Sequence, residues 1–270
     1  MFSVLMSVYI NDTYIQFVDA FESIWDKQIL RPSEIVIVFD GKVSSEIKNY
    51  LLQRINDNTP IIIVNSKENV GLGSALNLGL KYCSNEYVAR MDSDDLSRKD
   101  RFFIQYNYFL NNPNIDITGG FIQEFNNHGK NLGIRKVPLN NKSISFESNF
   151  RSPMNHVTVM FKKSSLNKIS NYVTEFISFE DYATWLKAKD VLVFSNLSNI
   201  LVDVRIDTAF IKRRKGINYL KREINFFYFF FKLNKISFIW LLFNIFIRLI
   251  FRLSPSFILE YKYKFSRSAV

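Results

Sequence analysis

Tyr87-Val88-Ala89-Arg90-Met91-Asp92-Ser93-Asp94-Asp95 is the stretch whose reading decides the fold. An apolar run ends in three carboxylates within four residues, the pattern of a strand that delivers acidic side chains to the rim of a sheet. Alternation along an extended chain puts Asp92 and Asp94 on one side and turns Asp95 away unless the backbone bends. Two carboxylates so placed can hold a hard cation, Mg²⁺ or Mn²⁺, whose other positions go to water and to phosphate oxygens of a substrate. Taken alone, the stretch reads equally well as an acidic turn, because Asp and Ser are ordinary turn formers. A helix-loop-helix calcium loop is excluded: its fifth and sixth positions require an oxygen ligand and glycine, and here they hold Leu96 and Ser97.

Upstream, apolar β-rich runs alternate with helical patterns. Phe2 to Ile10, Glu34 to Asp40, Pro60 to Ser66 and Tyr87 to Asp92 read as strands, and Tyr14 to Gln28, Ser44 to Asn56 and Gly71 to Cys83 as helices. Such alternation predicts an α/β fold with a mostly parallel central sheet and helices on both faces, its ligands bound at the carboxyl ends of the strands. Those ends carry Ser7-Val8-Tyr9 with Asn11-Asp12, Asp40-Gly41, Asn69-Val70-Gly71 and the acidic cluster. Asp12 and Asn69 also suit helix caps. Gly71-Leu72-Gly73-Ser74-Ala75 lacks the third glycine of a dinucleotide fingerprint and does not follow the first strand, which argues against a dehydrogenase.

Composition narrows the function classes. With 270 residues, 47% of them hydrophobic, the chain can bury a full core. Cys83 is the sole cysteine and the histidines are His128 and His156, so neither a disulfide nor a Cys/His zinc site is available. No Lys or Arg precedes Lys27 and the apolar run Phe2 to Ile10 is short, so a secretion signal is not expected. The net charge of +10 would suit nucleic acid, but thirteen Lys/Arg lie between Lys212 and Val270 against only Glu223 and Glu260. The excess therefore belongs to the C-terminal tail, and a nucleic-acid partner is not expected.

Further along, Arg98 to Leu110 reads as a helix, Ile115 to Phe125 as a strand pair interrupted by Gly119-Gly120, Asn126 to Asn149 as a polar loop, and Val157 to Phe161 as a strand behind His156. Glu180-Asp181 opens a helix, where acidic residues commonly serve only the helix dipole. Leu201 to Asp207 reads as a strand leading to Lys212-Arg213-Arg214-Lys215.

In their order and spacing, Ser7-Val8-Tyr9, Asp40-Gly41, Asn69-Val70-Gly71 with Ala75, Asn77 and Gly79, Ala89 to Asp95 with Arg101-Phe102 and Gln105, Asn155-His156, and Phe179-Glu180-Asp181-Tyr182 with Trp185 resemble the family 2 glycosyltransferases, inverting enzymes of GT-A fold, and among them those that build bacterial surface polysaccharides. The resemblance runs from about residue 2 to residue 216. It implies a nucleotide-sugar donor, of which UDP-sugars suit the site best, and donor contacts from Ser7, Tyr9, Asp40, Asn69, Gly71, Asn77, Arg90, Asp92, Ser93 and Asp94. It further implies Mg²⁺ or Mn²⁺ at Asp92, Asp94 and Asp95, and Asp181 as general base with Glu180 orienting it. Asp207 stands where the family often has histidine, which puts that residue's phosphate contact in doubt. The acceptor implied is a saccharide on a polyprenyl diphosphate carrier at the cytoplasmic face of the inner membrane. A catalytically idle sugar-nucleotide or lipid-binding subunit, and a nucleotidyltransferase, stand as alternatives.

The reading divides the chain into a GT-A-like domain, 1–216, and a helical membrane-associating tail, 217–270. Phe226 to Phe231 is almost wholly aromatic, and the twelve uncharged residues Ile236 to Ile247 fall well short of the ~20 that span a bilayer. In helical register Ser237, Asn244, Arg248 and Arg252 form one polar stripe on an otherwise apolar helix with basic flanks, the pattern of a helix lying in an anionic membrane interface. A hairpin packed on the body is the competing reading.

Overall fold

The computed structural model describes residues 1–206 and 216–254; Asp207, the basic quartet 212–215 and residues 255–270 lie outside the described residues. The first half winds as expected: β1 (Phe2–Val8), α1 (Tyr14–Ile24), β2 (Glu34–Phe39), α2 (Ser45–Asn56), β3 (Ile61–Asn65), α3 (Leu72–Leu80) and β4 (Tyr87–Met91). β1 pairs in parallel with β2 and with β4, and β2 with β3, giving the order β3-β2-β1-β4. Both faces of this layer are covered, which is why its strands read as continuous apolar runs. Val4, Met6, Val8, Ile35 and Ile37 pack with Phe17 and Phe21 of α1 and Ile47 and Leu51 of α2. Leu5, Val36 and Val38 point the other way, onto Ala75, Leu76 and Leu80 of α3.

The second half continues the sheet. It comprises β5 (Leu96–Ser97), α4 (Arg101–Asn111), β6 (Ile117–Phe125), β7 (Asn131–Arg135), α5 (Asn141–Glu147), a 3-10 turn at His156–Thr158, β8 (Met160–Lys162), α6 (Lys163–Lys168), α7 (Glu180–Ala188) and β9 (Phe194–Arg205). β8 lies antiparallel between β4 and β6, and β9 runs parallel to β6 and antiparallel to β5.

Three local expectations are corrected here. Gly119-Gly120 does not split two strands: β6 passes through both glycines, with a register slip against β9 between Gly120 and Phe121. A Cβ on Gly120 would lie 2.5 Å from Leu201 Cδ1 and 3.1 Å from the Asn199 carbonyl, so the glycine permits close approach rather than a turn. Gly120→Ala should therefore overpack this seam by about 1–3 kcal/mol, lowering the melting temperature by about 2–4 °C per kcal/mol; thermal unfolding at an unchanged midpoint would show that the seam yields. The stretch Asn126 to Asn149 is not wholly loop, since it contains β7 and α5, the latter capped by Asn140 accepting from the Ser143 amide. The run behind His156 divides into the 3-10 turn and the short β8.

After the undescribed segment come α8 (Ile217–Lys232) and α9 (Phe238–Leu253), an antiparallel pair joined through Asn234 at φ 55°. Phe226, Phe227 and Phe230 of α8 are buried with Tyr182, Ala183 and Leu186 of α7, while Tyr228 and Phe229 stay exposed, as a 3.6-residue period requires. The hairpin is packed on the body and shares a core with it. The polar stripe of α9 faces that body, with Asn244 fully buried. Among the described residues no helix is long and apolar enough to cross a membrane.

Candidate active site

In an open sheet ordered 3-2-1-4, the chain reverses direction of winding between β1 and β4, and the crevice at their carboxyl ends is where such sheets bind ligands. The peptide after β1 folds back so that the Tyr9 amide donates to Asp12 Oδ2 at 2.9 Å. Ser93, after β4, also hydrogen-bonds the Asp12 carboxylate. Burial, with the charge of Asp92 added, raises the Asp12 carboxyl to about 6. Asp94 is likewise raised to about 6, by burial first and then by Asp92 and Asp12. Asp12, Asp92 and Asp94, from two strand ends, thus lie near enough to feel one another's charge. Asp12, read from the sequence as one of the polar strand ends and also as a possible helix cap, sits beside the cluster; the cap of α1 is Thr13 instead.

Arg90 holds the cluster from beneath. Its side chain is 3% exposed, and both terminal nitrogens pair with Asp92, Nη1 at 2.5 Å from Oδ2 and Nη2 against Oδ1. The bidentate fork fixes the carboxylate plane as a lysine could not. Arg90 in turn rests on Arg101, whose Nη2 donates to the Arg90 carbonyl at 2.7 Å and whose Nε donates to Gln105. Burial lowers Arg101 to about 9, with the nearby Arg90 charge adding to the effect.

Asp95 departs from the expected trio. It is buried, its Oδ1 accepts the Arg205 amide of β9 at 2.8 Å, and desolvation followed by Asp92 and Asp94 holds its carboxyl well above the usual range. It ties the bend after β4 to β9. Among the described residues no three His, Cys, Asp or Glu side chains converge on one ion position. The donor set that remains, hard oxygens of Asp94, Asp92 and Asp12 crowded as like charges, fits a divalent cation that takes one or two carboxylates and completes its shell from water and diphosphate.

At the end of β2, Asp40 is buried and accepts the Val70 amide at 2.7 Å and the Gly71 amide at 3.1 Å. Gly41 has φ 81°, and a Cβ there would lie 2.7 Å from the Asn69 nitrogen, so the two loops can meet only across a glycine. Asn69 completes the lock through its Nδ2, 3.4 Å from the Asp40 carbonyl. Ser7 is partly buried and Tyr9 exposed at the same edge. The carboxamide of Asn77, a residue expected at the donor, donates to the Tyr172 carbonyl and accepts the Tyr172 amide, both at 2.9 Å.

Tyr172 joins the two halves of the site. Its hydroxyl lies 3.1 Å from His156 Nε2, and its ring packs on His156 and Trp185. Desolvation raises its hydroxyl far above the ordinary range, and the charges it senses include Arg90, Asp181, Asp92 and Glu180. Burial and Arg90 keep His156 neutral. Glu180 and Asp181 occupy the first turn of α7. The Asp181 Oδ2 accepts from Ser152 Oγ at 3.2 Å. Glu180 is raised by burial and by Asp181, and its buried Oε2 has no hydrogen-bond partner. Ser152 and Tyr172 carry no signature of these contacts in the sequence, since each lies outside the regular elements and reaches the site only through tertiary packing.

The glycosyl transferase family 2 model matches residues 3–170. The chain is 37% identical over 265 residues to the UDP-Gal:alpha-D-GlcNAc-diphosphoundecaprenol beta-1,3-galactosyltransferase of Escherichia coli, covering 97% of this chain and 95% of that one. It is 33% identical to the amylovoran biosynthesis glycosyltransferase AmsE of Erwinia amylovora, covering 99% of both. Among solved structures, S. aureus TarS 1-349 in complex with UDP-GlcNAc superposes with a TM-score of 0.63 at 18% identity, over 83% of this chain and 64% of that one. The mannosyltransferase PcManGT of Pyrobaculum calidifontis, in complex with GDP-Man and Mn²⁺, does so at 0.60 with 13% identity, over 83% and 61%. The chain spans less than two thirds of either solved chain, and at these identities the likeness speaks for the fold alone. With the crevice, its carboxylates and the strand order that assembles them accounted for, the chain belongs to glycosyl transferase family 2.

Proposed function

We propose that the protein transfers a sugar from a UDP-sugar to a hydroxyl of a saccharide carried on a polyprenyl diphosphate, with inversion at the anomeric carbon, in the assembly of a bacterial surface polysaccharide. The observation that carries this reading is the pairing of a carboxylate-lined crevice at β1 and β4 with a second acidic pair, Glu180 and Asp181, across Tyr172. The acceptor's hydroxyl oxygen forms the new bond to the anomeric carbon as its proton passes to Asp181, and the bond from that carbon to the diphosphate oxygen breaks on the opposite face. Held by Asp94 with one of its neighbours Asp92 and Asp12, Mg²⁺ or Mn²⁺ would supply Lewis-acid neutralisation of the diphosphate's charge. Arg90 keeps Asp92 oriented throughout. The locked Asp40 and Asn69 loops form the wall against which the nucleobase rests.

UDP-galactose and GlcNAc diphosphate on a short-chain alcohol are the first pair to try, given the E. coli relative's name. The reading expects a disaccharide product whose new linkage is β, by mass spectrometry and proton NMR. A product of retained configuration, or none from any UDP-sugar with any lipid-linked saccharide, would sink it.

A lipid-borne acceptor also gives the hairpin a role at the membrane's inner surface. Ile239, Leu242, Phe243, Phe246, Leu249, Ile250 and Leu253 recur every three or four residues along α9 and are all exposed, a contiguous apolar face of the kind that soluble monomers rarely leave bare. Lys221 and Lys232 are exposed on α8, and each basic group near an anionic surface adds about 1 kcal/mol. Full-length protein should co-sediment with vesicles containing phosphatidylglycerol, and binding should weaken in high salt without vanishing, because apolar burial is not screened. Leu242→Glu with Phe246→Glu should reduce binding by an order of magnitude or more. Binding indifferent to both changes would assign that face another occupant.

A further inference from the structure

The polar stripe of α9 is turned inward, and what it grips leads to the base. Asn244 Nδ2 donates to the Asn149 carbonyl at 2.8 Å, and Arg248 Nη2 donates to the Phe150 carbonyl at 2.8 Å. The two side chains brace each other, Arg248 Nη1 to Asn244 Oδ1 at 2.8 Å, and the guanidinium lies 4.2 Å from the Phe227 ring centre. Trp240 stacks on the Phe150 ring at 5.4 Å. From the other side, α7 holds the same segment: the Tyr182 hydroxyl donates to the Ser148 carbonyl at 2.8 Å, and Lys189 Nζ donates to Asn149 Oδ1 at 3.0 Å.

Residues 148 to 152 belong to no helix or strand; turn bonds from the amides of Ser148, Asn149, Phe150 and Arg151 tie them to the end of α5, and their outward carbonyls are left for side chains of other elements. Side chains of α7 and α9 take up their outward carbonyls, and their last member, Ser152, donates to Asp181. From this arrangement we infer that Asn244 and Arg248 are positioning residues for the general base, acting through the segment 148–152 and Ser152, so that the C-terminal hairpin is part of the catalytic apparatus as well as a membrane face. The inference rests on the assignment of Asp181 as base. It separates from the membrane role because these two side chains point at the body and the lipid-facing residues are different ones.

The test uses full-length protein and a water-soluble acceptor, GlcNAc diphosphate on a short-chain alcohol, with UDP-galactose as donor and no membrane present. Asn244→Ala and Arg248→Lys, the second preserving the charge beside Glu223, should each lower kcat by about 10- to 100-fold, the cost of a base misplaced by a fraction of an ångström or more. The KM for UDP-galactose and the affinity for UDP by calorimetry should stay within about twofold of wild type, since those depend on the crevice at β1 and β4. Vesicle binding should not change, and buried Cys83 should remain unreactive to a thiol reagent, which reports an intact fold. On a Ser152→Ala background, Asn244→Ala should add less than about twofold, because effects exerted through one shared contact do not multiply. Wild-type kcat in both Asn244→Ala and Arg248→Lys, or losses that multiply in full with Ser152→Ala, would overturn the inference while an inactive Asp181→Asn left the base standing. A fully active Asp181→Asn would remove the base assignment and this inference together.

Discussion

Asp181→Asn is expected to lower turnover by about 10²- to 10⁴-fold, the range for a lost general base, while UDP affinity and the KM for the donor stay near wild type. The substitution is nearly isosteric, and Asn can still accept from Ser152 at Oδ1, so the loop it anchors should hold its place. What disappears is a group able to take a proton from the acceptor hydroxyl as the new bond forms. The discriminating measurement is calorimetry with UDP beside steady-state kinetics. Donor affinity falling in step with turnover would mark Asp181 as a binding or folding residue, and the role of proton acceptor would have to move elsewhere in the crevice.

Asp94→Asn should have an effect of similar size on activity and the opposite sign on stability. Loss of the carboxylate removes the charge that draws a divalent cation to the crevice, and several kcal/mol of transition-state stabilisation depend on that charge, so transfer should drop by about 10²-fold or more. A chelator should do the same to the wild type. Stability follows from the raised carboxyl of Asp94, near 6 in the folded chain against an ordinary value of 3.8. Folding favours the protonated form, so the native state is penalised as pH rises from about 4 through about 6. Above that range the ionised side chain costs on the order of 1–3 kcal/mol in the metal-free protein, because burial and the neighbouring Asp92 and Asp12 oppose its charge. Asparagine carries no charge to oppose. Metal-free Asp94→Asn should therefore melt higher than wild type at pH 7.5, and the difference should close toward pH 4. Wild-type activity in the variant or in chelator would dismiss the cation; a lower melting temperature at pH 7.5 would show that Asp94 is a structural carboxylate.

The contrast between those two aspartates shows where reading a sequence stops. Neighbours in the chain, both in the bend after β4, they meet different partners: Asp94 senses Asp92 and Asp12, while Asp95 accepts the amide of Arg205 on β9. Alternation predicts that they diverge, but only the partner strand says what Asp95 meets. Asn77 is a similar case. Its place in a matching motif suggested a donor contact, and the loop carrying Tyr172 occupies both ends of its carboxamide.

The sequence by itself determined the parallel layer, its helices and the crevice. Local periodicity is enough to specify apolar strands covered on both faces, and a strand order of βαβ units places their polar ends together. It also determined that Glu180 and Asp181 open a helix, and that the stretch from Tyr219 onward is amphipathic. Tertiary structure decided the rest, because the deciding contacts join residues far apart in the chain. Asp12 meets Ser93 only once β1 lies beside β4. The polar stripe of α9, which periodicity could describe but not orient, finds two unpaired carbonyls at Asn149 and Phe150 and turns toward them, since buried backbone acceptors and a buried guanidinium satisfy each other better than either could alone. The apolar side of the helix is thereby left facing outward, an arrangement that no hydropathy pattern of the helix alone distinguishes from its reverse.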